Sequence, residues 1–397
     1  MDKIILFQNG VETLSYFSKQ LGNTFIKMGK KVFYFDLEKE EESMKYMFSF
    51  WERENTFVVT FNFNGLRGED CFYDKDGVLL WKYAKVPCVN IVVDHPFYYY
   101  GLLQKVEEEL GMELYYQISI DRDHEKFMKR FYPQLKHSFF LPLAGTRYEN
   151  GVNEDKKYEV VFAGNYTAPE AFRVYIERIN QEYAEFYEGI ITELIQHPEL
   201  TMEDVFEKHL TREMGELSDD ELKECMSNMI FMDLYVRFYF RAKVVTEVVN
   251  AGIQVHVFGS GWETVDCPGK KNLIIEGPTD SEGCLNVFSK AKVSLNVMPW
   301  FKDGAHDRVY NSILNGAVCV TDESKFLKED LNDEQIMFYS LKKLAELPEK
   351  IKEILMNEQK REQMINMGTK HVELNHTWEK RGEKIIEWFT KEKCEAK

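Results

Sequence analysis

Short apolar runs alternate with stretches of helical spacing along most of the chain. In the first half the apolar runs lie at residues 3–7 and 31–35 and around Val59, Val92 and Ile118, and residues 13–28 have the spacing of an amphipathic helix. Continuous apolar runs of this length are typical of parallel strands that are buried on both faces, because crossover helices cover such a sheet. The pattern therefore predicts an α/β domain.

Three of these runs end in polar loops. The loops are Asn62 to Gly65, Asp94-His95-Pro96 and Asp121 to His124. In open α/β sheets the ligand crevice lies outside the carboxyl ends of the strands. We therefore expect a binding or catalytic site to use residues from these loops.

The second half repeats the order of strand, turn and helix. One predicted strand ends at Gly164-Asn165, and another ends at Gly259-Ser260-Gly261-Trp262. Further apolar runs lead to Pro278-Thr279 and to the stretch 305–324. The repetition predicts two Rossmann-like domains in tandem.

Composition along the chain suggests where the domains begin and end. A closing strand is expected at residues 139–145, and the polar run after it cannot pack a core, so it is predicted to be a linker. The predicted segments are an N-terminal domain at residues 1–145, a linker at 146–157, a C-terminal domain at 158–375 and a final segment at 376–397. Thr377 is expected to cap a helix in that final segment, with Trp378, Ile385 and Phe389 on one face.

A long segment interrupts the second series. Roughly ninety residues separate the strand that ends at Ala163 from the one that begins at Gln254, whereas a parallel crossover needs only about a dozen. Residues 231–250 have the pattern of the crossover helix itself. Residues 170–228 are therefore predicted to form a helical insert, which serves as scaffold, in acceptor choice or in self-association.

The stretch from Ala305 to Ser324 predicts a loop, a short helix and a buried strand. Arg308 and Asn311 are three residues apart, so they share one face near the start of the helix, and Gly316 stands where a left-handed residue ends it. Free backbone amides and the positive end of the helix dipole favour an anion there, and an arginine adds a bidentate phosphate ligand. An ordinary connection with a surface arginine is the alternative interpretation.

Composition narrows the possible partners. The chain has 397 residues, enough for two cores, and its formal net charge of −17 disfavours nucleic acid or an anionic membrane surface as the main partner. Seven cysteines without metal-type spacing argue against a disulfide framework and a structural zinc site. We expect a cytoplasmic protein, because the sequence has neither the pattern of a signal peptide nor an apolar run that could span a bilayer.

Several sequence features together resemble a known family. They are LPLA at residues 141–144, VVFAGN at 160–165, HxRVYNSILNGAVCVTD from His306 to Asp322, and HTWEKR at 376–381. In this order and spacing the chain resembles GT-B glycosyltransferases of the CgeB-like group, which includes spore-maturation proteins. The similarity is strongest between Tyr158 and Asp322, outside the insert.

The resemblance implies two Rossmann-like domains that face a cleft. The C-terminal domain would hold a nucleotide-diphosphate sugar, the N-terminal domain would hold a protein, glycan or cell-surface acceptor, and neither a bound cofactor nor a metal would be needed. The residues implied to contact the donor are Gly164, Asn165, Gly259, Ser260, Gly261, Trp262, Pro278, Thr279, Gly304, His306, Arg308 and Asn311. Asn311 departs from the family, because many GT-B enzymes keep a ribose-binding glutamate at that position.

Glycosyl transfer needs a stabilised diphosphate and, with inversion, a base for the acceptor hydroxyl. Asp94 and His95 are the leading candidates for the base, because they follow a buried strand of the predicted acceptor domain. The alternative is a structural turn. Asp121 and His124 are the next candidates, although Asp121 could instead cap a helix that runs into Phe127.

Two other functions fit the same two-domain pattern. The chain could be a catalytically silent protein that binds a nucleotide sugar, as a structural part of an assembly, or a sugar-nucleotide epimerase. The uncertain base and the asparagine at position 311 keep the silent binding protein open as an alternative. The sequence does not specify the donor base, the sugar, the acceptor or the stereochemical outcome.

Overall fold

Two six-stranded parallel sheets organise the computed structural model, which describes residues 1–151 and 155–395. The chain divides into two units. The first contains Met1–Leu143 and the segment that begins at Thr377, and the second is Ala144–His376. Residues 152–154 of the expected linker and residues 396–397 of the expected final segment lie outside the described residues.

The first sheet has the order β2-β1-β3-β4-β5-β6. Its strands are β1 (Lys3–Gln8), β2 (Lys31–Asp36), β3 (Thr56–Phe61), β4 (Cys88–Val92), β5 (Tyr115–Ser119) and β6 (His137–Phe140). Its helices begin with α1 (Glu12–Lys27), α2 (Glu40–Phe50), α3 (Leu80–Tyr83), α4 (Tyr100–Lys105) and α5 (Arg122–Phe131). Every residue of β3, β4 and β5 is buried, as the continuous apolar runs predict.

The second sheet has the order β12-β11-β10-β7-β8-β9. Its strands are β7 (Tyr158–Ala163), β8 (Val255–Phe258), β9 (Leu273–Gly277), β10 (Ala291–Leu295), β11 (Val318–Asp322) and β12 (Met337–Tyr339). Its longer helices are α7 (Gln181–Gln196), α8 (Met202–Met214), α9 (Asp219–Ser227), α10 (Ile230–Asn250), α11 (Ser281–Ser289), α12 (Asp307–Leu314), α14 (Leu347–Met356) and α15 (Glu358–Asn375), and its short helices are α6 (Arg173–Ile176) and α13 (Lys325–Asp330). This is a Rossmann-type strand order.

The helical insert and the crossover helix have the predicted form. Helices α6 to α9 lie between β7 and α10, and α10 is the long helix that leads into β8. The closing strand of the first series differs from the expectation at residues 139–145, because β6 already ends at Phe140. Pro142 has no N–H group to donate to a ladder, which is consistent with the strand ending before it.

The last helix, α16 (Trp378–Glu395), packs within the first unit. Thr377 Oγ1 accepts a hydrogen bond from Lys380 N at 3.4 Å, as predicted for an N-cap. Trp378, Ile385 and Phe389 are buried, and the Phe389 ring stacks on Phe57 with 4.5 Å between centroids. Among the described residues, no helix has both the length and the apolar character needed to cross a membrane.

A buried carboxylate holds the loop that leaves β10. Asp322, the last residue of β11, accepts a hydrogen bond from Met298 N at 2.8 Å through Oδ1. Tyr339 Oη donates to Asn296 O at 2.8 Å, and Ser324 Oγ donates to Gly304 O at 2.7 Å. The loop from Asn296 to His306 is thus attached at three points to β11, to the residues just after it, and to β12.

We expect the stability of the second unit to depend on the protonation of Asp322. Burial raises the pKa of Asp322 to about 7 from an ordinary value of 3.8. Between these values the folded state holds a proton that the unfolded state has released. The free energy of unfolding should therefore fall as the pH rises from about 4 to about 7, by up to about 4 kcal/mol from this one group.

Urea unfolding of wild type and Asp322→Asn between pH 5 and 8 measures this dependence. Asparagine keeps an acceptor for Met298 N and does not titrate, so the difference in unfolding free energy should move in favour of the variant as the pH rises. Asp333→Asn at an exposed position is the control. Parallel pH profiles for wild type and Asp322→Asn would contradict the assignment.

A second expectation concerns α16. Phe389→Ala should destabilise the first unit by about 3–5 kcal/mol, because it removes a side chain that is only 3% exposed and leaves a cavity beside Phe57. Phe48→Ala is the matched control, since that ring is 54% exposed, and it should change stability by less than about 1 kcal/mol. Equal urea midpoints for the two variants would show that α16 contributes little to this core.

Candidate functional site

The strand order of the second unit reverses between β7 and β10. These two strands are neighbours, and the chain continues outwards from them in opposite directions across the sheet. A crevice opens outside the carboxyl ends of strands at such a switch point. Gly164-Asn165, called here the β7 turn, and the loop from Asn296 to His306 leave the sheet there.

The β7 turn packs directly on the β8 turn, Gly259 to Trp262. Ser260 N donates to Asn165 Oδ1 at 3.0 Å, and Trp262 Nε1 donates to Gly164 O at 2.8 Å. A Cβ atom on Gly259 would lie 2.4 Å from Gly164 O, which is too close for any other residue. The two glycine turns that the sequence singles out therefore form one continuous edge.

Within this edge the predicted residues have different exposures. Trp262 is fully buried, and its ring stacks on Tyr166 with 5.1 Å between centroids. Its position shows that it holds the turn in place. Asn165 and Ser260 are exposed. Pro278 and Thr279 follow β9 at the same end of the sheet, where Pro278 is exposed and Asp280 caps α11.

Helix α12 has the predicted form. It begins at Asp307, Val309 and Ile313 are buried, and Gly316 has a φ of 73°. His306 occupies the N-cap position. Arg308 consequently lies in the first turn of the helix, beside backbone amides that have no partner within the helix.

The side chains of His306, Asp307 and Arg308 at this first turn contact one another. His306 Nδ1 lies 2.6 Å from Asp307 Oδ1, and His306 Nε2 lies 3.3 Å from a terminal nitrogen of Arg308. His306 Nδ1 also accepts a hydrogen bond from Arg308 N at 3.2 Å, which makes His306 the side-chain cap of α12. Burial and the Arg308 charge lower the pKa of His306, so the neutral ring prevails at neutral pH.

Arg308 reaches across the switch point to the end of β7. Its guanidinium donates a hydrogen bond to Ala163 O and lies 5.8 Å over the Phe162 ring. A Cβ atom on Gly164 would lie 2.6 Å from the same guanidinium, so the glycine leaves the room that Arg308 occupies. Arg308 itself remains partly exposed.

A second guanidinium, which the sequence analysis missed, lies at the same place. Arg241 on α10 is buried and donates to Asn165 O in the β7 turn. Among the described residues it forms no ion pair with a carboxylate. Burial and the nearby Arg308 and Arg237 charges lower the pKa of Arg241 well below its usual range.

Arg237 lies one helical turn before Arg241. It pairs with the buried Asp233 at 3.0 Å, and its guanidinium lies 4.1 Å over the Trp300 ring. The spacing of Arg237 and Arg241 by four residues on a predicted helix was a usable signal, because it places both on one face. The helical pattern of residues 231–250 by itself predicts only a crossover helix.

This arrangement can hold a polyvalent anion. Buried charges in proteins normally have a counter-charge, yet Arg241 lies beside two like charges instead. An anion at the end of β7 would remove this repulsion and accept hydrogen bonds from both guanidiniums and from the first turn of α12.

Asn311 is occupied by protein partners. Its Oδ1 accepts from Thr146 N at 2.8 Å, and its Nδ2 donates to Asp307 Oδ2 at 2.9 Å. The first of these bonds joins α12 to the chain after Gly145, and the second lies within the helix. A contact between Asn311 and a ribose stays a prediction.

In the first unit Asp94 and His95 have different environments. Asp94 follows β4, is partly exposed, and accepts hydrogen bonds from Asn62 Nδ2 at 3.2 Å and Tyr99 Oη at 3.0 Å. His95 is buried, accepts from Phe97 N at 3.3 Å and packs against His124 with 4.5 Å between centroids. Of the two side chains, only that of Asp94 is exposed enough for a ligand to reach.

The loop after β3, which supports Asp94, has an unusual backbone conformation. Asn62 and Phe63 have φ values of 46° and 66°, which residues other than glycine rarely adopt. Asn62 Oδ1 accepts from Val93 N at 2.9 Å, and Asn62 O accepts from the Arg67 side chain at 2.7 Å. Strained backbone that is held this firmly is common at functional sites.

The two next candidates are both buried. Asp121 caps α5 and accepts a hydrogen bond from Asp123 N at 2.7 Å, as the capping alternative predicts. His124 is 2% exposed and lies behind His95. Neither residue is reached by a ligand as easily as Asp94.

Comparison with known families gave one match. A family model described as "Glycosyl transferase-like" matches residues 241–387, a range that begins at Arg241 and includes Arg308. No curated protein sequence matches the chain.

Several solved structures share the fold over almost the whole chain. Sucrose-phosphate synthase from Thermosynechococcus elongatus has a TM-score of 0.55 at 11% identity, with 98% of this chain and 99% of that one covered. Anabaena HepE in complex with UDP and glucose has a TM-score of 0.52 at 10% identity, with coverages of 98% and 100%. The DNA-modifying enzyme β-glucosyltransferase has a TM-score of 0.51 at 14% identity, with coverages of 98% and 99%.

Two other matching structures are larger proteins, and this chain spans 55% and 60% of their lengths. Sequence identities this low establish a common fold and no more. The chain therefore has the GT-B glycosyltransferase fold, and its residues 241–387 are similar to the glycosyl transferase-like family.

Proposed function

We propose that the protein is a glycosyltransferase that moves a sugar from a nucleotide-diphosphate sugar to an acceptor hydroxyl. The observation that carries the proposal is the pair of guanidiniums of Arg241 and Arg308 at the carboxyl end of β7. Nucleotide sugars carry a diphosphate that must bind and then depart. Fixed positive groups at that position stabilise the departing charge in the transition state.

Some of the residues proposed to bind the nucleotide sugar would neutralise its charge, and others would orient it. Arg308 and the first-turn amides of α12 would bind one phosphate, and Arg241 would bind the diphosphate from the side of the β7 turn. The exposed Asn165 and Ser260, with Pro278 and Thr279, remain the proposed contacts for the nucleoside. His306, neutral and fixed by Asp307, would donate no net charge and would orient Arg308.

Uridine nucleotides are the first donors to test. One structure of this fold was obtained with UDP and glucose, and another describes uridine diphosphoglucose as the substrate. We propose that the donor carries a hexose and that the acceptor is a protein, a glycan or a cell-surface molecule. We also propose that the protein belongs to the CgeB-like group and acts in the cytoplasm. Transfer would need neither a bound cofactor nor a catalytic metal. Turnover that persists in the presence of a chelator is the expected result for the last point.

Asp94 is the proposed base on the acceptor side. Its carboxylate is partly exposed, and Asn62 and Tyr99 fix its orientation through Oδ2. A base must reach the acceptor hydroxyl directly or through one water. His95, which is buried and caps the following turn, would act as a positioning residue for the loop that carries Asp94.

Replacement of either guanidinium by an apolar side chain should weaken UDP binding. For Arg241→Met and Arg308→Met we expect a loss of about 1.5–3 kcal/mol each, the range for hydrogen bonds to charged groups. Methionine keeps apolar bulk against Phe162, so the fold should persist. Isothermal titration with UDP measures the change, and UDP should also raise the melting temperature of the wild type.

Arg173→Met is the matched control for this experiment. Arg173 lies on α6, is half exposed, and pairs with Glu177 and Glu188 outside the proposed pocket. Its replacement should leave UDP affinity unchanged. Wild-type affinity in both Arg241→Met and Arg308→Met would remove the two guanidiniums from the donor site.

Replacement of Asp94 should affect turnover and leave donor affinity unchanged. Asp94→Asn is expected to reduce the release of UDP from UDP-glucose, measured with and without acceptor, by about 10²–10⁴-fold. Asp76→Asn, at an exposed position in the same unit, is the control. Normal turnover by Asp94→Asn would place the base elsewhere.

Tight UDP binding without any release of UDP from the sugar would favour a silent binding protein, and interconversion of donor sugars would favour an epimerase.

A further inference from the structure

A carboxylate and two imidazoles meet at the ends of α13 and α15. Asp330 is the last residue of α13, His371 lies in the last turns of α15, and His376 follows that helix directly. Asp330 Oδ1 lies 3.1 Å from His371 Nε2, and Asp330 Oδ2 lies 2.8 Å from His376 Nε2. The three side chains thus converge from two helices on one point of the second unit.

We propose that Asp330, His371 and His376 bind a divalent transition-metal ion of the zinc class. Each residue offers one ligand atom, and the three atoms lie within 4.8 Å of one another. Two imidazole nitrogens and one carboxylate oxygen are a donor set that zinc commonly takes, with a fourth position left for water. Among the described residues, no other group of histidine, cysteine, aspartate and glutamate side chains is arranged in this way.

The distances are compatible with one bound ion. Two ligand atoms at about 2.1 Å from a tetrahedral ion lie roughly 3.4 Å apart. The two separations between Asp330 and the histidines are slightly shorter than that, and the separation between the histidines is at most 4.8 Å. To admit the ion, the Asp330 carboxylate would therefore have to move slightly away from both imidazoles.

The backbone around the cluster is already fixed. Thr369 Oγ1 donates to Ile313 O at 3.0 Å, and a Cβ atom on Gly368 would lie 2.9 Å from Gln335 O. Helix α15 is therefore pressed against α12 and against the chain that leads into β12. Because the backbone of α15 is held before an ion arrives, binding needs only side-chain adjustment, which lowers its cost in conformational entropy.

Exposure differs among the three ligands in a useful way. The side chains of His371 and Asp330 are 24% and 18% exposed, whereas that of His376 is 6% exposed. An ion can enter from the side of His371 and meet a buried ligand behind it. None of the cysteines contributes to the cluster, so the ligation is by nitrogen and oxygen alone.

The ion would act as a structural clamp. The His376 ring stacks on Tyr310 of α12 with 4.3 Å between centroids and 6° between planes. His376 O accepts a hydrogen bond from Gly145 N at 2.9 Å. A metal on His376 would therefore fix three segments at once, α12, α15 and the chain at Gly145, while taking no part in sugar transfer.

Direct titration with zinc tests the proposal. The full-length protein, stripped with chelator and desalted, is titrated with zinc chloride by calorimetry. Wild type and the exposed-histidine control His197→Ala should each bind one equivalent with the same affinity. His371→Ala and Asp330→Asn should bind it at least about 100-fold more weakly. Far-UV circular dichroism checks that each variant is folded.

Cobalt(II) gives a second readout that depends on ligand type. The wild-type complex should show ligand-field bands without a thiolate charge-transfer band, and His371→Cys should restore tight binding with such a band. No zinc binding by wild type, or unchanged binding by His371→Ala and Asp330→Asn, would overturn the proposal. A thiolate band in the wild-type complex would assign the ion to cysteines, which would also overturn it.

Discussion

Repulsion between two guanidiniums at the end of one strand is the constraint on which the second unit depends. Arg241 and Arg308 come from helices α10 and α12, and both donate to the backbone around the β7 turn. A protein gains no stability from placing like charges together where water is scarce. The nucleotide diphosphate proposed as ligand has the charge and the acceptor oxygens to offset this repulsion.

The local sequence around these residues makes this arrangement possible. Gly164 and Gly259 allow the β7 and β8 turns to touch, and a side chain at Gly164 would occupy the position of the Arg308 guanidinium. On the other side of the switch point, Asp322, Ser324 and Tyr339 fasten the loop that ends at His306. Preorganisation of this kind is what electrostatic stabilisation of a leaving group requires, because the donors need not move during the reaction.

The two parallel sheets and helix α12 could be predicted from the sequence, because the patterns that indicate them are local. Period and length of the apolar runs identified the parallel sheets, and Gly316 with Arg308 identified α12 and its first turn. Arg241 was missed because its role depends on where α10 docks, which no local pattern encodes. The burial of His95 and the hydrogen bond between Asn311 and Thr146 likewise depend on tertiary structure. The cluster of Asp330, His371 and His376 has no local sequence pattern, because Asp330 and His371 are 41 positions apart.

A crystal structure of the protein with UDP is the most direct test of the central claim. We expect a diphosphate at the carboxyl end of β7, with oxygens within hydrogen-bond distance of the Arg241 and Arg308 guanidiniums and of the first-turn amides of α12. A diphosphate bound elsewhere, or an ordered complex in which both guanidiniums keep only their bonds to Ala163 O and Asn165 O, would contradict it.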